Sequence, residues 1–473
     1  MGKSINSTGK NIRGNKGNIL VSQLQSKNLE NVMIIPIDIG KKQHKGLIAN
    51  YFGSLLKHPF KFYNTQEGIE LLHNTIVDVS KHQPVEEILI GMEATGHYYK
   101  KVAAMLHEMG YNNLFIFNPL STSYCRKAGL TWSKTDDIDL GSIGQSLISG
   151  YGTIYRPEEP LWDDLKEICR YRRFLIKHQT SLKNKLHVFF DLLLPGITEL
   201  EMFKDTHLWT PASLDFFLKY PDLELIRQLQ QKGIVKFFRH RGRRITDELA
   251  DQLKKWTKVA LRPYCPTNPC RQFIFKKLID QLRQLQEYIC QIEIKLIGYL
   301  VRTPAILLLS INYIGPIRAA EFAGESTPLE QYPGSRALIK AAGMDPTRYQ
   351  SATSESSRHS ISKKGSRKLR YITLDISEAL MKHNQYFASA AKKLMAKGRS
   401  EECACVATGN RFIRVAYEMI NNQKSFEPAN GLGIHADPLN KIKIFLRDHQ
   451  SSDLTEEYIS HASKYFKKGE ASM

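Results

Sequence analysis

The spacing of apolar residues changes twice along the chain. From Asn31 onward it has the short period of strands: "VMIIPIDIG" is an apolar run closing on Asp38 and Gly40, "GLIANYFGS" alternates like its hairpin partner, and "EEILIGMEATG" is a second run closing on Glu93 and Gly96. "HYYKKVAAMLHEMG" then repeats apolar residues at helical spacing and stops at Gly110, before "NLFIFNP" supplies another strand. This alternation of strand, helix and strand predicts an α/β sheet domain over residues 32–155.

Past that domain the period lengthens. Ile168, Leu175, Leu182 and Phe189 recur every seven residues, and Leu278, Leu282, Leu285, Ile289, Ile292 and Leu296 alternate steps of four and three. Both patterns predict long helices with a coiled-coil seam over residues 156–300, paired within one chain or between chains, or packed inside a plain bundle. Between them, about residues 196–266, lies an insertion that is helical in tendency, broken by prolines, and carries "KFFRHRGRR", a basic cluster for phosphates or a solvated face. At Leu307 the texture changes again: "LLLSINYIGPIRAAEFAGE" is an apolar helix, a turn at Gly315 and an Ala-rich helix. Such a helix-hairpin-helix brings backbone N–H groups close to a phosphate; a plain packing corner reads the same way. It opens a mainly α domain, residues 301–430, followed by a tail, 431–473. Residues 1–31 are rich in Asn, Ser, Gly and Lys, with five Lys/Arg against one Glu, and are expected to be a flexible basic arm.

Charge narrows the partners. Lys and Arg number 67 against 47 Asp and Glu, a formal net charge of +20, and such an excess most often neutralises a polyanion, so nucleic acid is the leading expectation over a merely solvated basic surface. The seven cysteines are scattered without a C-x-x-C pair, which argues against a structural zinc site or a disulfide framework and for a reducing cytoplasm. No apolar run approaches the ~18 residues of a membrane span, and the first thirty residues lack a signal-peptide core.

Against this basic background "SKTDDIDLGSIGQSL", Ser133 to Leu147, gathers three aspartates in four residues. Ser133 or Thr135 is a candidate helix N-cap, and Asp136 in the first turn would suit the helix dipole. Asp136 and Asp139 stand at i and i+3 on one helical face, with Asp137 rotated off it by ~100°. Asp38 and Glu93 each end a predicted strand, where side chains of an α/β sheet commonly line a site. Four converging carboxylates repel one another unless a cation sits among them, and oxygen-only ligation suits Mg²⁺ or Mn²⁺. Two such ions ~3.5–4 Å apart can clamp the attacking and leaving oxygens of a phosphodiester.

The order "IDIGKKQH", "GMEATGHYY" and "KTDDIDL" resembles the DEDD transposases typified by insertion sequence 110. The resemblance implies an RNase H-like, RuvC-like catalytic domain whose metal ligands are Asp38, Glu93, Asp136 and Asp139, with Asp137 a bystander. Leu140 departs from the small residue usual there, which should alter packing rather than ligation. "LIKAAGMDPTRYQSATSESSRHSISKKGSRKLRYITL" and "ACVATGNRFIRVAYEMINNQKSFEP" resemble the C-terminal domain of the same family. There the resemblance places a nucleophilic serine at Ser351, although Ala352 departs from the usual Gly and Ser354, Ser356 and Ser357 stand close by. Lys363, Lys364, Arg367, Lys368 and Arg370 form a dense basic cluster beside it, and with Gly315 are the expected nucleic-acid contacts. The family further implies donor and target DNA, a structured noncoding guide (bridge) RNA, a homo-oligomer (dimer or tetramer), and a prokaryotic, nucleoid-associated location. The expectation is therefore a DNA recombinase of a mobile element. The alternatives are a metal-dependent junction resolvase that uses water, and a catalytically silent nucleic-acid scaffold.

Overall fold

The computed structural model describes residues 24–128, 136–150, 152–157, 159–261, 269–346, 350–351, 354–355, 360–427 and 436–466. The candidate N-caps Ser133 and Thr135 lie outside the described residues, as do Ser356 and Ser357 and most of the basic arm. The chain divides into two compact units, Met1–Pro157 and Glu158–Met473.

The first unit is built on a six-stranded mixed sheet in the order β3-β2-β1-β4-β5-β6. β1 (Val32–Asp38) runs antiparallel to β2 (Gln43–Asn50), and β2 antiparallel to β3 (Leu55–Tyr63). On its other side β1 is parallel to β4 (Glu87–Glu93), and β4 to β5 (Leu114–Phe117); the short β6 (Thr153–Ile154) closes that edge antiparallel. Strand alternation sends Met33, Ile35 and Ile37 to one face, where they meet α1 (Gln66–Lys81) and α2 (Tyr98–Glu108) through Ile69, Leu72, Ile76, Val102 and Leu106. α1 starts where the Thr65 side chain accepts from the Gly68 N–H, an N-cap of the ordinary kind. Val32, Ile34, Leu89, Phe115 and Phe117 line the opposite face and are covered by Ile143 and Leu147 of a later helix, Asp136–Ile148. Each such buried side chain contributes about 1.5–3 kcal/mol. Gly91 permits this packing, because a Cβ there would stand 2.7 Å from the Phe117 ring and 3.3 Å from Leu147. Residues 24–31, the end of the basic segment, also belong to this unit: Leu24 is buried in the same cluster, and Asn31 donates to Glu86. The arrangement is compatible with an RNase H-like domain.

Two helices connect the site of the first unit. They are α3 (Pro119–Ala128) and α4 (Asp136–Ile148), packed on each other, with the Ser146 hydroxyl 3.2 Å from the Cys125 sulfur.

In the second unit α5 (Pro160–Leu193) packs along a helix from Pro269 to Leu300 within the same chain, so the two heptad patterns do find each other. The insertion covers their distal half. Its helices α6 (Pro211–Lys219), α7 (Leu223–Arg227), α8 (Gln231–His240) and α9 (Asp247–Val259) share one core with Leu182, Leu186 and Phe190 of α5 and with Phe275, Ile279 and Leu282 of the returning helix, α10. This makes the distal half a bundle instead of an isolated two-helix seam, with Phe189 only partly buried at its margin, while Ile168 is partly buried against the chain's other helical core. In "KFFRHRGRR" Phe237 and Phe238 are core, the Arg241 guanidinium lies 3.8 Å over the Phe237 ring and 3.0 Å from Asp215, and Arg243 donates to the Ser213 hydroxyl at 2.7 Å. Two of its six basic side chains are therefore structural, while Lys236, Arg239, His240 and Arg244 face solvent.

The other core joins the proximal ends of α5 and α10 to a 3-10 helix (Pro304–Ser310), α11 (Pro316–Ser326), α12 (Ser335–Ala341), α13 (Arg367–His383), α14 (Gln385–Ala396), α15 (Glu401–Asn422), α16 (Pro438–Asp448) and α17 (Thr455–Phe466). Three arginines of α5 cross this junction. Arg170 forks onto Glu325 at 3.0 and 3.1 Å, Arg172 reaches both Glu293 and Glu321, and Arg173 reaches Glu321 at 2.9 Å. Glu321 and Glu325 are buried, and their charge is balanced in place.

Candidate active site and nucleic-acid interface

Asp38 and Glu93 are the last residues of two neighbouring parallel strands, and the pairing of Ile37 with Met92 carries them to the same level. Residues of equal parity in a strand share a face, so both point to the side covered by α4, with Val32, Ile34 and Leu89. The row continues across the sheet, because Lys45 of β2 stands opposite Asp38 and Lys61 of β3 opposite Lys45. From Ile39 to Gln66 the chain has no Asp or Glu at all, and it holds Lys41, Lys42, Lys45, Lys57 and Lys61. A pair of strand-end acids thus borders a hairpin of one sign of charge.

α3 ties the acids of strand and helix together. Thr122 and Arg126 lie four residues apart, hence on one helical face. The buried Thr122 hydroxyl donates to Glu93 Oε2 at 2.6 Å, with Thr95 donating to Oε1 at 3.3 Å, while Arg126 Nη1 donates to Asp139 Oδ1. Thr122 and Arg126 are functional candidates that the hydrophobic pattern does not disclose; the signal for them is an i, i+4 hydroxyl and guanidinium directly ahead of an acidic segment. Asp136 opens α4, and Asp137 follows it in the same turn.

The donor set is all oxygen, which fits a hard divalent cation. Among the described residues no three His, Cys, Asp or Glu side chains are gathered to hold a metal ion, and Asp139 pairs with the Arg126 guanidinium.

In the second unit the segment from Pro346 to Ile361 leaves and returns at one point, where the two residues form an antiparallel bridge and Ser362 donates to Asp345 Oδ1 at 2.5 Å. Beyond this base Gln350–Ser351 pairs with Ser354–Glu355 as a short hairpin, Ser351 opposite Ser354. The basic cluster begins directly after the bridge. Lys363, Lys364, Arg367 and Lys368 are exposed around the start of α13, whose N-cap is Ser366, whereas Arg370 turns inward and donates to the Ala342 carbonyl at 3.1 Å. Gly365 lets the two backbones meet, since a Cβ there would fall 2.0 Å from the Ala341 carbonyl oxygen. Four cations in and before a first turn oppose the helix dipole, an arrangement that favours an external anion.

At the expected helix-hairpin-helix the first arm is the 3-10 helix Pro304–Ser310, and the left-handed residue of the turn is Tyr313 (φ 70°), not Gly315, which has φ −89° and caps α11. Gly315 keeps the open space a Cβ would fill. Among the described residues no helix is long and apolar enough to cross a membrane.

No curated protein matches the chain. Residues 35–195 match the model of a DEDD-type transposase family of the IS110 kind, described as "Transposase", and residues 305–392 match that of the "Transposase IS116/IS110/IS902 family".

Proposed function

The chain belongs to the IS110 family of transposases, and from that premise we propose that it exchanges DNA strands through a serine–phosphate intermediate, with Asp38, Glu93, Asp136 and Asp139 as the acidic site and Ser351 as the nucleophile. The observation that carries the reading is the register that sets Asp38 beside Glu93 on the face covered by α4. A divalent ion, Mg²⁺ or Mn²⁺, held there would neutralise the carboxylates and stabilise charge developing on a phosphodiester.

The chain's own groups do the rest. Thr122 orients Glu93 by hydrogen bonding, and Arg126 holds Asp139 on the same helix face. Lys45 and Lys61 attract the phosphate backbone alongside the acids, and Lys363, Lys364, Arg367 and Lys368 attract it beside the serine hairpin. A serine hydroxyl is a weak nucleophile at neutral pH and needs activation by a base or a metal. Its attack on phosphorus forms an O–P bond and breaks the bond to the leaving deoxyribose oxygen, so the phosphodiester energy is conserved for rejoining. The basic surplus suits a noncoding RNA guide as well as two DNA partners.

The test is strand exchange by the full chain with its copurifying nucleic acid, which is sequenced in parallel. Asp38→Asn, Glu93→Gln and Asp139→Asn each lower exchange by ~10³-fold or more, and Asp137→Ala leaves it near wild type. Equal damage from Asp137→Ala and Asp139→Asn contradicts the assignment of faces on α4, and the absence of a defined RNA removes the guide.

A further inference from the structure

The tail of the chain reaches into the hairpin turn. Lys441 of α16 donates from its ammonium to the main-chain carbonyls of Leu309 at 2.8 Å, Ile311 at 2.8 Å and Ile314 at 2.9 Å. Those three residues are fully buried, and so are Ile442 and Leu446, which dock α16 on the same core. An ammonium has three donors and no acceptor, so three oxygens satisfy it completely. Burial pushes the Lys441 amine down to about 8, which leaves it charged at neutral pH.

The oxygens themselves are the more telling feature. Leu309 sits near the end of the 3-10 helix, where carbonyls lack an onward partner, and the left-handed Tyr313 bends the chain between Ile311 and Ile314. Three main-chain carbonyls meeting within 2.9 Å of one centre repel one another unless a cation stands there. We infer that the turn between the 3-10 helix and α11 is a seat for a monovalent cation of ammonium or K⁺ size, which this chain fills with its own Lys441. α16 thereby becomes part of the nucleic-acid element: it holds the turn that presents Gly315 and the start of α11. That last step rests on the reading of Gly315 as a phosphate contact.

The experiment is cation rescue in the full chain. Lys441→Met removes the donors and keeps an apolar stem. In LiCl this variant melts at least about 4 °C below wild type and binds a nonspecific DNA duplex about tenfold more weakly. Replacing LiCl by KCl or NH₄Cl at equal ionic strength restores both, while wild type is indifferent to the exchange beyond the ordinary effect of each salt. A variant as stable as wild type, or one whose loss is the same in all three salts, overturns the seat. If Lys441→Met does not fold in any of them, Lys441→Gln is subjected to the same comparison, and a cation-independent loss there is again contradictory. Recovery of melting by K⁺ with duplex affinity unchanged throughout keeps the seat and removes the phosphate contact at Gly315.

Discussion

Two clusters in this chain use acids and arginines to opposite ends. In the second unit Glu293, Glu321 and Glu325 face Arg170, Arg172 and Arg173, and His449 joins Arg172 on Glu293 at 2.8 Å. Each carboxylate there has a charged partner. In the first unit the strand-end acid Glu93 receives neutral hydroxyls from Thr122 and Thr95, and Asp139 a guanidinium nitrogen of Arg126. Where arginines match acids in number and two of the carboxylates, Glu321 and Glu325, are buried, the cluster fixes a helix junction. Where hydroxyls take the place of arginines, as at Glu93, the carboxylate keeps its negative charge at the end of a strand, and that charge is what chemistry on a phosphodiester would use.

The contrast breaks most visibly in stability. Glu321→Gln leaves Arg172 and Arg173 around a neutral group at a site 5% exposed, and should cost about 3–5 kcal/mol. Asp38→Asn should shift stability by no more than about 1 kcal/mol while removing activity. Thermal melts of the two variants check the pair. Similar losses would erase the distinction between a structural and a chemical cluster.

A smaller effect sharpens it through pH. Burial pushes the Glu293 carboxyl up, but the hydrogen bond from His449 and the charge of Arg172 outweigh it and leave it below its ordinary value; the bond to Glu293 holds His449 above its own. Glu293 therefore stabilises the fold above its unfolded pKa of 4.5 and loses this as pH falls through its lower folded value. His449 stabilises fully below 6.5 and loses it as pH rises through its higher folded value. The pair is strongest between those limits. His449→Ala should lower stability by about 1–3 kcal/mol near pH 5.5 and progressively less above pH 7. A loss that does not change with pH would mean packing, not charge, is what His449 contributes.

How much of this was legible depends on what each feature is made of. The strands that end in Asp38 and Glu93 stand out as apolar runs, and the two acids of α4 by their spacing. That β1 and β4 are neighbours follows from a crossover, which no local pattern encodes. β3, α1 and α3 lie outside the runs that the pattern picks out; α3, "PLSTSYCRKA", has too few apolar positions to announce itself, and with it Thr122 and Arg126 stay hidden. The arginines of "KFFRHRGRR" look like a phosphate patch in sequence, and only the packing of Phe237 and the position of Asp215 divide them. Lys441 is illegible for a different reason, since its partners are carbonyls that every residue carries.

The smallest expected effect concerns the basic start of α13. Replacing Lys363, Lys364 and Arg367 together by Gln should flatten the salt dependence of duplex binding, by roughly 0.9 in log K against log salt for each phosphate that is no longer neutralised. Arg370→Gln, which removes a bond to the Ala342 carbonyl, should change stability instead. If the slope is unchanged in the triple variant, the cluster is a solvated face.

The central claim is that a serine of the second unit attacks DNA. Wild-type chain, incubated with Mg²⁺, its copurifying nucleic acid and DNA spanning the ends of the element that encodes it, is denatured and digested, and the DNA-linked peptide is identified by mass spectrometry. A phosphoserine link is expected in the peptide containing Ser351, and none from Ser351→Ala. Strand exchange that persists without any protein–DNA link, in Ser351→Ala and in its Ser354, Ser356 and Ser357 counterparts, would contradict it and leave water as the nucleophile.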